Sequence, residues 1–427
     1  MMSQILIRRG RVVDPMVGRD AVTDVLIEDG VIRDVGDMDM PADRTIDAQG
    51  KIVAPGLIDM HVHLRQPGDE ESETIQSGSA AALSGGYTTI ACMPNTKPPL
   101  DNPKVIEAVR NEASRVNLVR VLPIGCVTVG RKGKELVSFE SLMRAGAVAF
   151  SDDGEGVALA GVMEKALRQL RDLGSVVIEH AEVAKLSADG QVHDGTASRS
   201  LRMAGIPSAS ETEMVNRDLR LVARTKGRLH FAHLSTQEAV QAVRMAKREG
   251  IPVTAEVTPH HLLLDQKAVL SGNTSFKMKP PLRTQRDRKS LVGGVADGTI
   301  DVIATDHAPH SSQKKDSPFK EAPFGAIGIE TSLGVLVDRL IHTRRITWTR
   351  LIAALTANPA KILGIDRGTL AVGSPADVVV IDPDRMWRIV PARFHSKSRN
   401  CPFAGWRVRG KAIIVISGGE IKYEEDQ

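Results

Sequence analysis

A chain of 427 residues with 42% hydrophobic and 25% charged side chains has the composition of an ordinary globular protein and length enough for a large core. Its net charge of +4, from 56 basic and 52 acidic residues spread along the chain, argues against a dedicated nucleic-acid or membrane-surface binder. No apolar run is long enough for a transmembrane helix, the opening residues 1–7 lack the pattern of a signal peptide, and three scattered cysteines (Cys92, Cys126, Cys401) read as reduced thiols of a cytoplasmic protein.

Residues 1–55 alternate short apolar strands with turns. Ile5-Leu6-Ile7, Arg11-Val12-Val13, Val25-Leu26-Ile27 and Val31-Ile32 are strand-like, and Asp29-Gly30 is hairpin chemistry between the last two. From Leu57 the rhythm changes to apolar strands alternating with helices. Strands are predicted at 57–63, 87–93, 118–124, 147–151, 176–180, 229–233, 252–257 and 300–306, with helical patterns such as 103–113, 159–173, 210–225 and 236–248 between them. Eight β-then-α units over residues 56–367 predict an α/β fold, a (β/α)₈ TIM-like barrel, with its site at the C-terminal ends of the strands. After residue 368 strand signals return: turn residues 370–377, then Val378-Val379-Val380-Ile381, then 406–411 and 412–419 as a hairpin-like pair. The two chain ends, 1–55 and 368–427, are therefore expected to build one small β-sandwich domain beside the barrel.

The chemistry lies at the predicted strand ends. Strand one ends in Asp59-Met60-His61-Val62-His63-Leu64-Arg65, where alternation turns His61, His63 and Arg65 to one face. Strand four ends in Asp152-Asp153, five in Glu179-His180, six in His233 and eight in Asp306-His307-Ala308-Pro309-His310. Nitrogen and oxygen ligands without thiolate suit zinc or another divalent first-row ion. Six ligands are too many for one open tetrahedral zinc but suffice for two metals sharing a bridge, an arrangement that activates water. Only one of the adjacent Asp152 and Asp153 is expected to face the site. His230 falls on the opposite side from His233 in a regular strand, and His193, His342 and His395 read as packing or surface residues. A ligand role for His260 and His261 is disfavoured, and Glu179 and Glu256 read as supports of the ligands. Arg65 beside the metal ligands points to an anionic substrate.

The stretch from Asp59 to Pro67 resembles the first signature of dihydroorotases, and Ala304-Thr305-Asp306-His307-Ala308-Pro309-His310 with Lys315 resembles the second. Gly85-Gly86-Tyr87-Thr88-Thr89, Met93-Pro94-Asn95-Thr96 and the tail motif Gly373-Ser374-Pro375-Ala376-Asp377 are also similar to that family, so the resemblance spans nearly the whole chain. It implies two Zn²⁺ ions, one held by His61, His63 and Asp306 and the other by His180 and His233. Residues 148–154 contain no lysine. The resemblance to the long bacterial class therefore puts Asp153, not a carbamylated lysine, in the bridge. It implies reversible closure of N-carbamoyl-L-aspartate to L-dihydroorotate, in de novo pyrimidine (UMP) synthesis, through a metal-bridged hydroxide with Asp306 moving the proton. It places Arg65, Asn95 and His310 around the substrate carboxylate, with His63, Phe324 and Gly325 also near substrate and residues 307–325 as a lid. Lys279 stands where many members carry an asparagine that touches the pyrimidine. Partners implied are the small-molecule substrate, aspartate transcarbamoylase and further copies of the chain. A metal-free scaffold protein and a relative such as allantoinase or dihydropyrimidinase are the rival readings; the full ligand set speaks against the first, and Arg65 with Asn95 against the second.

Overall fold

The computed structural model describes residues 4–425; residues 1–3, part of the opening segment read above, and 426–427 lie outside the described residues. Eight parallel strands follow one another around a sheet in chain order: Leu57–Val62, Tyr87–Cys92, Arg120–Gly125, Ala149–Phe150, Val176–Glu179, Arg228–Phe231, Val253–Val257 and Val302–Ile303. Val62 bridges His307 in parallel, and the His63 amide donates to the His307 carbonyl at 2.8 Å, so the last strand meets the first. This is the predicted barrel. Its strands read as continuous apolar runs because both faces are covered. Helices pack outside, while Met60, Met93, Ile124, Val176, Ile178 and Val302 form a separate cluster with Ile362 and Leu363 of the helix Ala357–Leu363.

Two barrel strands are much shorter than predicted, the others by a residue. The fourth keeps two residues of 147–151, and the eighth two of 300–306. In the eighth, the Thr305 amide turns to the Asp59 carboxylate instead of a neighbouring strand, and Asp306 adopts φ +47°, which ends extended backbone. The helices follow the sequence closely: Pro103–Val116, Ala160–Asp172, Ala209–Thr225 and Gln237–Arg248. Thr236 caps the last by accepting the Ala239 amide, which satisfies one of the otherwise unpaired first-turn donors.

The chain ends meet as expected in one mixed sheet. Its order runs Glu420–Glu424, Arg407–Ser417, Val378–Arg388, Ile52–Pro55, Gln4–Asp14, Arg19–Glu28, Val31–Gly36, with Arg44–Asp47 also on Gln4–Asp14. Two details correct the sequence reading. Residues 5–7 and 11–13 belong to one strand, kinked where Arg9 takes φ +60° and gives its amide to Asp24. Residues 406–411 and 412–419 are not a hairpin pair. Arg407–Ser417 is continuous, and the hairpin turns at Gly418-Gly419, both at positive φ.

Candidate active site

The first barrel strand slips its register between Asp59 and Val62, an irregularity of the kind that re-aims side chains beside active sites. His61 and His63 both end against the same two carboxylates. His61 Nε2 lies 3.4 Å from Asp153 Oδ1 and 3.6 Å from Asp306 Oδ1. His63 Nε2 lies 3.0 Å from Asp306 Oδ1 and 3.5 Å from Asp153 Oδ2. His180 Nδ1 and His233 Nε2 sit 3.0 Å apart, each 3.6 Å from Asp153 Oδ1. All six side chains are buried, and Asp153 stands between the two groups. The structure thus brings together every sequence-predicted ligand.

In three of the four imidazoles the other nitrogen fixes the orientation. His61 Nδ1 donates to Glu256 Oε1 at 2.6 Å, His63 Nδ1 to Asn95 Oδ1 at 2.9 Å, and His180 Nε2 to Glu182 Oε2 at 3.0 Å. In the neutral rings the remaining nitrogens therefore present lone pairs to carboxylate oxygens, a repulsive arrangement. Among the described residues His61 Nε2 and Asp153 Oδ1 are buried with no hydrogen-bond partner. Without a cation the conflict is relieved by a proton: burial alone would lower the pKa of His61, yet Asp153 and Glu256 outweigh burial and hold it well above the usual imidazole value. Buried lone pairs converging on carboxylates fit a divalent metal, with His61, Asp153 and His233 forming one set and His61, His63 and Asp306 another.

The backbone is shaped to this end. Arg65, His233 and Asp306 hold φ of +60°, +29° and +47°. Such conformations cost of order 1–3 kcal/mol each in a non-glycine residue and cluster at functional sites. The turn at His233 lets both it and His230 reach Glu256, through the His233 amide at 3.3 Å and His230 Nε2 at 3.2 Å. His230 is thus not turned away from the interior, as a regular strand would have it, but it is bonded to Glu256 and Thr254 and lies in neither ligand set. Asp152 turns the other way from Asp153 and accepts the Val127 and Thr128 amides at 2.9 and 3.1 Å, fastening the fourth strand's loop to the third's. Arg131 donates to the Asp153 carbonyl at 2.6 Å. Asp59 accepts the His61 and Thr305 amides and the Thr305 hydroxyl, tying first strand to last.

A cavity of about 290 Å³ opens over the cluster. It is lined by five of the six candidate ligands, all but His61, and by Arg65, Asn95, Lys279, His310, Phe324 and Gly325, which with His63 are the complete set of predicted substrate contacts. Asn95 has given its oxygen to His63, and its amide hydrogens have no acceptor among the described residues. Arg65 Nε donates to the Pro309 carbonyl at 3.0 Å. His310 Nε2 donates to the Phe324 carbonyl at 2.7 Å, and burial with nearby Arg65 lowers its pKa to about 3. Lys279 reaches the cavity and pairs with Glu182 at 2.9 Å, making a chain Lys279–Glu182–His180. A larger groove of about 570 Å³ lies between the helices Ala209–Thr225 and Gln237–Arg248 and contains none of these groups. His193, His342 and His395 lie away from the cluster. His260 and His261 are buried near it but stand in neither ligand set. Glu179 does not touch a predicted ligand; it holds the Val157 amide at 3.0 Å. Sequence reasoning missed Glu182, Arg131 and Asn400 altogether. Glu182 alone carried a local signal, standing two residues after His180.

Residues 50–239 match the family model described as dihydro-orotase-like, and residues 298–423 match the amidohydrolase family. The chain is 47% identical over 423 residues to a dihydroorotase of Pelotomaculum thermopropionicum, covering 99% of both chains. It is 46% identical to a dihydroorotase of Anaeromyxobacter dehalogenans, covering 100% of this chain and 99% of the relative. Among solved structures, the L-hydantoinase (dihydropyrimidinase) of Arthrobacter aurescens superposes with a TM-score of 0.90 at 26% identity, covering 100% of this chain and 97% of the other.

Proposed function

This chain belongs to the dihydroorotase family, and from that premise and the geometry of the barrel mouth we infer that it is a metal-dependent cyclic amidohydrolase closing N-carbamoyl-L-aspartate reversibly to L-dihydroorotate in de novo pyrimidine (UMP) synthesis. The observation that carries the substrate reading is Arg65, held in the same small cavity as the histidine–carboxylate cluster. A guanidinium there matches the carboxylate of dihydroorotate and finds no such anion on an unsubstituted hydantoin or dihydrouracil ring.

We assign two zinc ions, with His61, His63 and Asp306 on one, His180 and His233 on the other, and Asp153 between them in place of a carbamylated lysine. When bound, the metal supplies an activated water at neutral pH and polarises the carbonyl under attack. Asn95 and Glu256 fix which nitrogen His63 and His61 turn to the site. In hydrolysis the ring bond between C4 and N3 breaks; Asp306 takes the proton of the attacking water and delivers it to N3. Charged and buried among His61, His63 and His233, Asp306 has its pKa held below the usual carboxylate range despite burial, so it returns a proton readily in a reaction that runs both ways. Arg65, the free amide hydrogens of Asn95 and His310 receive the carboxylate. His310 then exchanges the Phe324 carbonyl for the substrate. Lys279, held by Glu182, brings a cation where the resemblance expects asparagine against the ring.

Metal analysis of the purified chain with hydrolysis assays on dihydroorotate, dihydrouracil and hydantoin tests this reading. Two zinc per chain and turnover confined to dihydroorotate are expected; preference for the rings without a carboxylate would replace it with a hydantoinase. Asp306→Ala should lose turnover, and a fully active variant would remove Asp306 from the proton path. Residues 307–325 as a lid, aspartate transcarbamoylase or further copies of the chain as partners, and a cytoplasmic location belong to the same proposal. Nicking of the loop at equal rates with and without dihydroorotate would count against closure, and separate elution of the two enzymes against the complex.

A further inference from the structure

The arm that closes one side of the cavity is pinned at Gly325. Gly325 takes φ +131°, and a side chain there would meet Ala308 Cβ and His310 Nε2 at 2.9 Å, so the backbone itself packs against the neighbouring loop. The Gly325 amide donates to the Lys277 carbonyl at 2.9 Å. The Gly325 carbonyl accepts from two buried side chains, Lys315 Nζ at 3.0 Å and Asn400 Nδ2 at 3.1 Å. Lys315 also donates to the Pro323 carbonyl at 2.9 Å, and Asn400 to the Ala308 carbonyl at 3.2 Å. Each is 4% exposed, and the two come from distant parts of the chain.

Resting on the reading that Phe324 and Gly325 face the substrate, we propose that Lys315 and Asn400 are positioning residues for the reaction: from two sides they hold the Gly325 carbonyl and so set the Phe324–Gly325 arm over the pocket. A buried lysine usually ends on a carboxylate. Among the described residues no carboxylate lies within 4 Å of Lys315 Nζ, whose partners are two carbonyls. Two acceptors are what the two hydrogens of a neutral amine serve, and burial followed by repulsion from Lys277 lowers this amine's pKa to about 7. Lys277 repeats the pattern one layer out, donating to Phe319 and Lys320 carbonyls at 2.8 and 2.9 Å. Asn400 links the two arms of the loop because Ala308 leads into the His310 side and Gly325 ends the other. Substrate contact by either residue is not required; both act through the peptide they hold.

The test is Lys315→Met, Lys315→Arg and Asn400→Asp in the zinc-loaded chain. Methionine keeps length and suits burial but has no donor; arginine keeps donors at the expense of fit. Aspartate keeps the shape of Asn400 and turns an acceptor to two carbonyls. Lys315→Met and Asn400→Asp should each raise the KM for dihydroorotate at least tenfold with kcat within about threefold, and arginine should recover most of the loss at 315. The same two variants should be nicked several-fold faster by trypsin at the exposed Lys320. A methionine variant with wild-type KM and wild-type nicking, or one better than arginine, would overturn the proposal, because plain packing predicts that order. Asn400→Asp decides independently if Lys315→Met does not fold. A wild-type chain inactive on dihydroorotate would instead refute the substrate reading, with trypsin still reporting whether the arm is pinned.

Discussion

Arg65 is the side chain on which the proposed discrimination rests, so its removal should separate binding from metal loading. Its Nε donates to the Pro309 carbonyl, its Nη2 lies beside the His310 ring, and no carboxylate lies within 4 Å among the described residues. The guanidinium is thus available for one. Arg65→Met should lower kcat/KM for dihydroorotate roughly 100-fold, about 3 kcal/mol for hydrogen bonds to a charged group, mainly through KM. Zinc content measured on the same sample should be unchanged; loss of zinc would mean that Arg65 supports the metal instead. Glu256 predicts the reverse split. It holds His61 Nδ1 and is itself held by His230, and removal of such a support typically costs 10–100-fold in metal affinity or activity. Glu256→Ala should release zinc to a chelator that leaves wild type loaded. That the candidate ligands would gather at one mouth was legible because alternation and repeated placement at strand ends mark them. Glu256 was visible only as a carboxylate inside an apolar run, and which histidine it serves depends on a contact across 195 residues. The split between Asp152 and Asp153 was equally out of local reach, since it turns on two amides of the preceding loop.

Among elements, the eight strands and long helices announce themselves by apolar runs and periodicity, whereas the excursion between the fifth strand and Ala209–Thr225 does not. Its pairing, Val192–His193 with Gly205–Ile206, is two residues long on each side and has no periodicity to read. What fixes it is Arg283, from a distant loop, whose Nη1 donates to His193 Nδ1 at 3.2 Å and to the Ile206 carbonyl at 2.7 Å. The first bond needs a neutral imidazole. Burial, and then Arg283, lowers the His193 pKa to about 4 from the ordinary 6.5. The unfolded or opened segment thus binds the proton more readily than the closed one. The stability contributed is complete above about pH 6.5 and is lost as pH falls towards 4, by roughly 2 kcal/mol. Relative to the intrinsic rate, which itself falls as pH falls, hydrogen exchange of residues 184–206 should quicken over that interval ahead of the barrel strands. In His193→Asn, whose carbonyl oxygen can accept from Arg283 without titrating, the extra quickening should vanish; an unchanged profile would assign the pH response elsewhere.

For the whole molecule, the decisive feature is where the barrel closes. First and last strands meet through one parallel bridge and the His63–His307 hydrogen bond, beside Asp59, which accepts the Thr305 amide and hydroxyl. Sequence could place eight units in order but not this seam, because nothing local marks residues some 245 positions apart as neighbours. Two of the site's histidines lie on the first side of the seam and Asp306 on the other. A cation held by His61, His63 and Asp306, as proposed, would therefore bond strand one to strand eight, and removing it would leave imidazole lone pairs and carboxylates facing each other at the point where the ring of strands must shut. Metal binding to the folded chain alone stabilises it by RT ln(1 + [L]/Kd), about 2.7 kcal/mol at a hundredfold excess over Kd. Chelation should lower Tm, and exchange should rise first at the amides of His63, Thr305 and His307, with the terminal sheet unaffected because its strands Gln4–Asp14 and Val378–Arg388 join through Ile52–Pro55, away from the mouth. Equal Tm with and without metal, or loosening spread evenly over barrel and sheet, would show that the seam is held by its hydrogen bonds alone and that the ions serve only the chemistry.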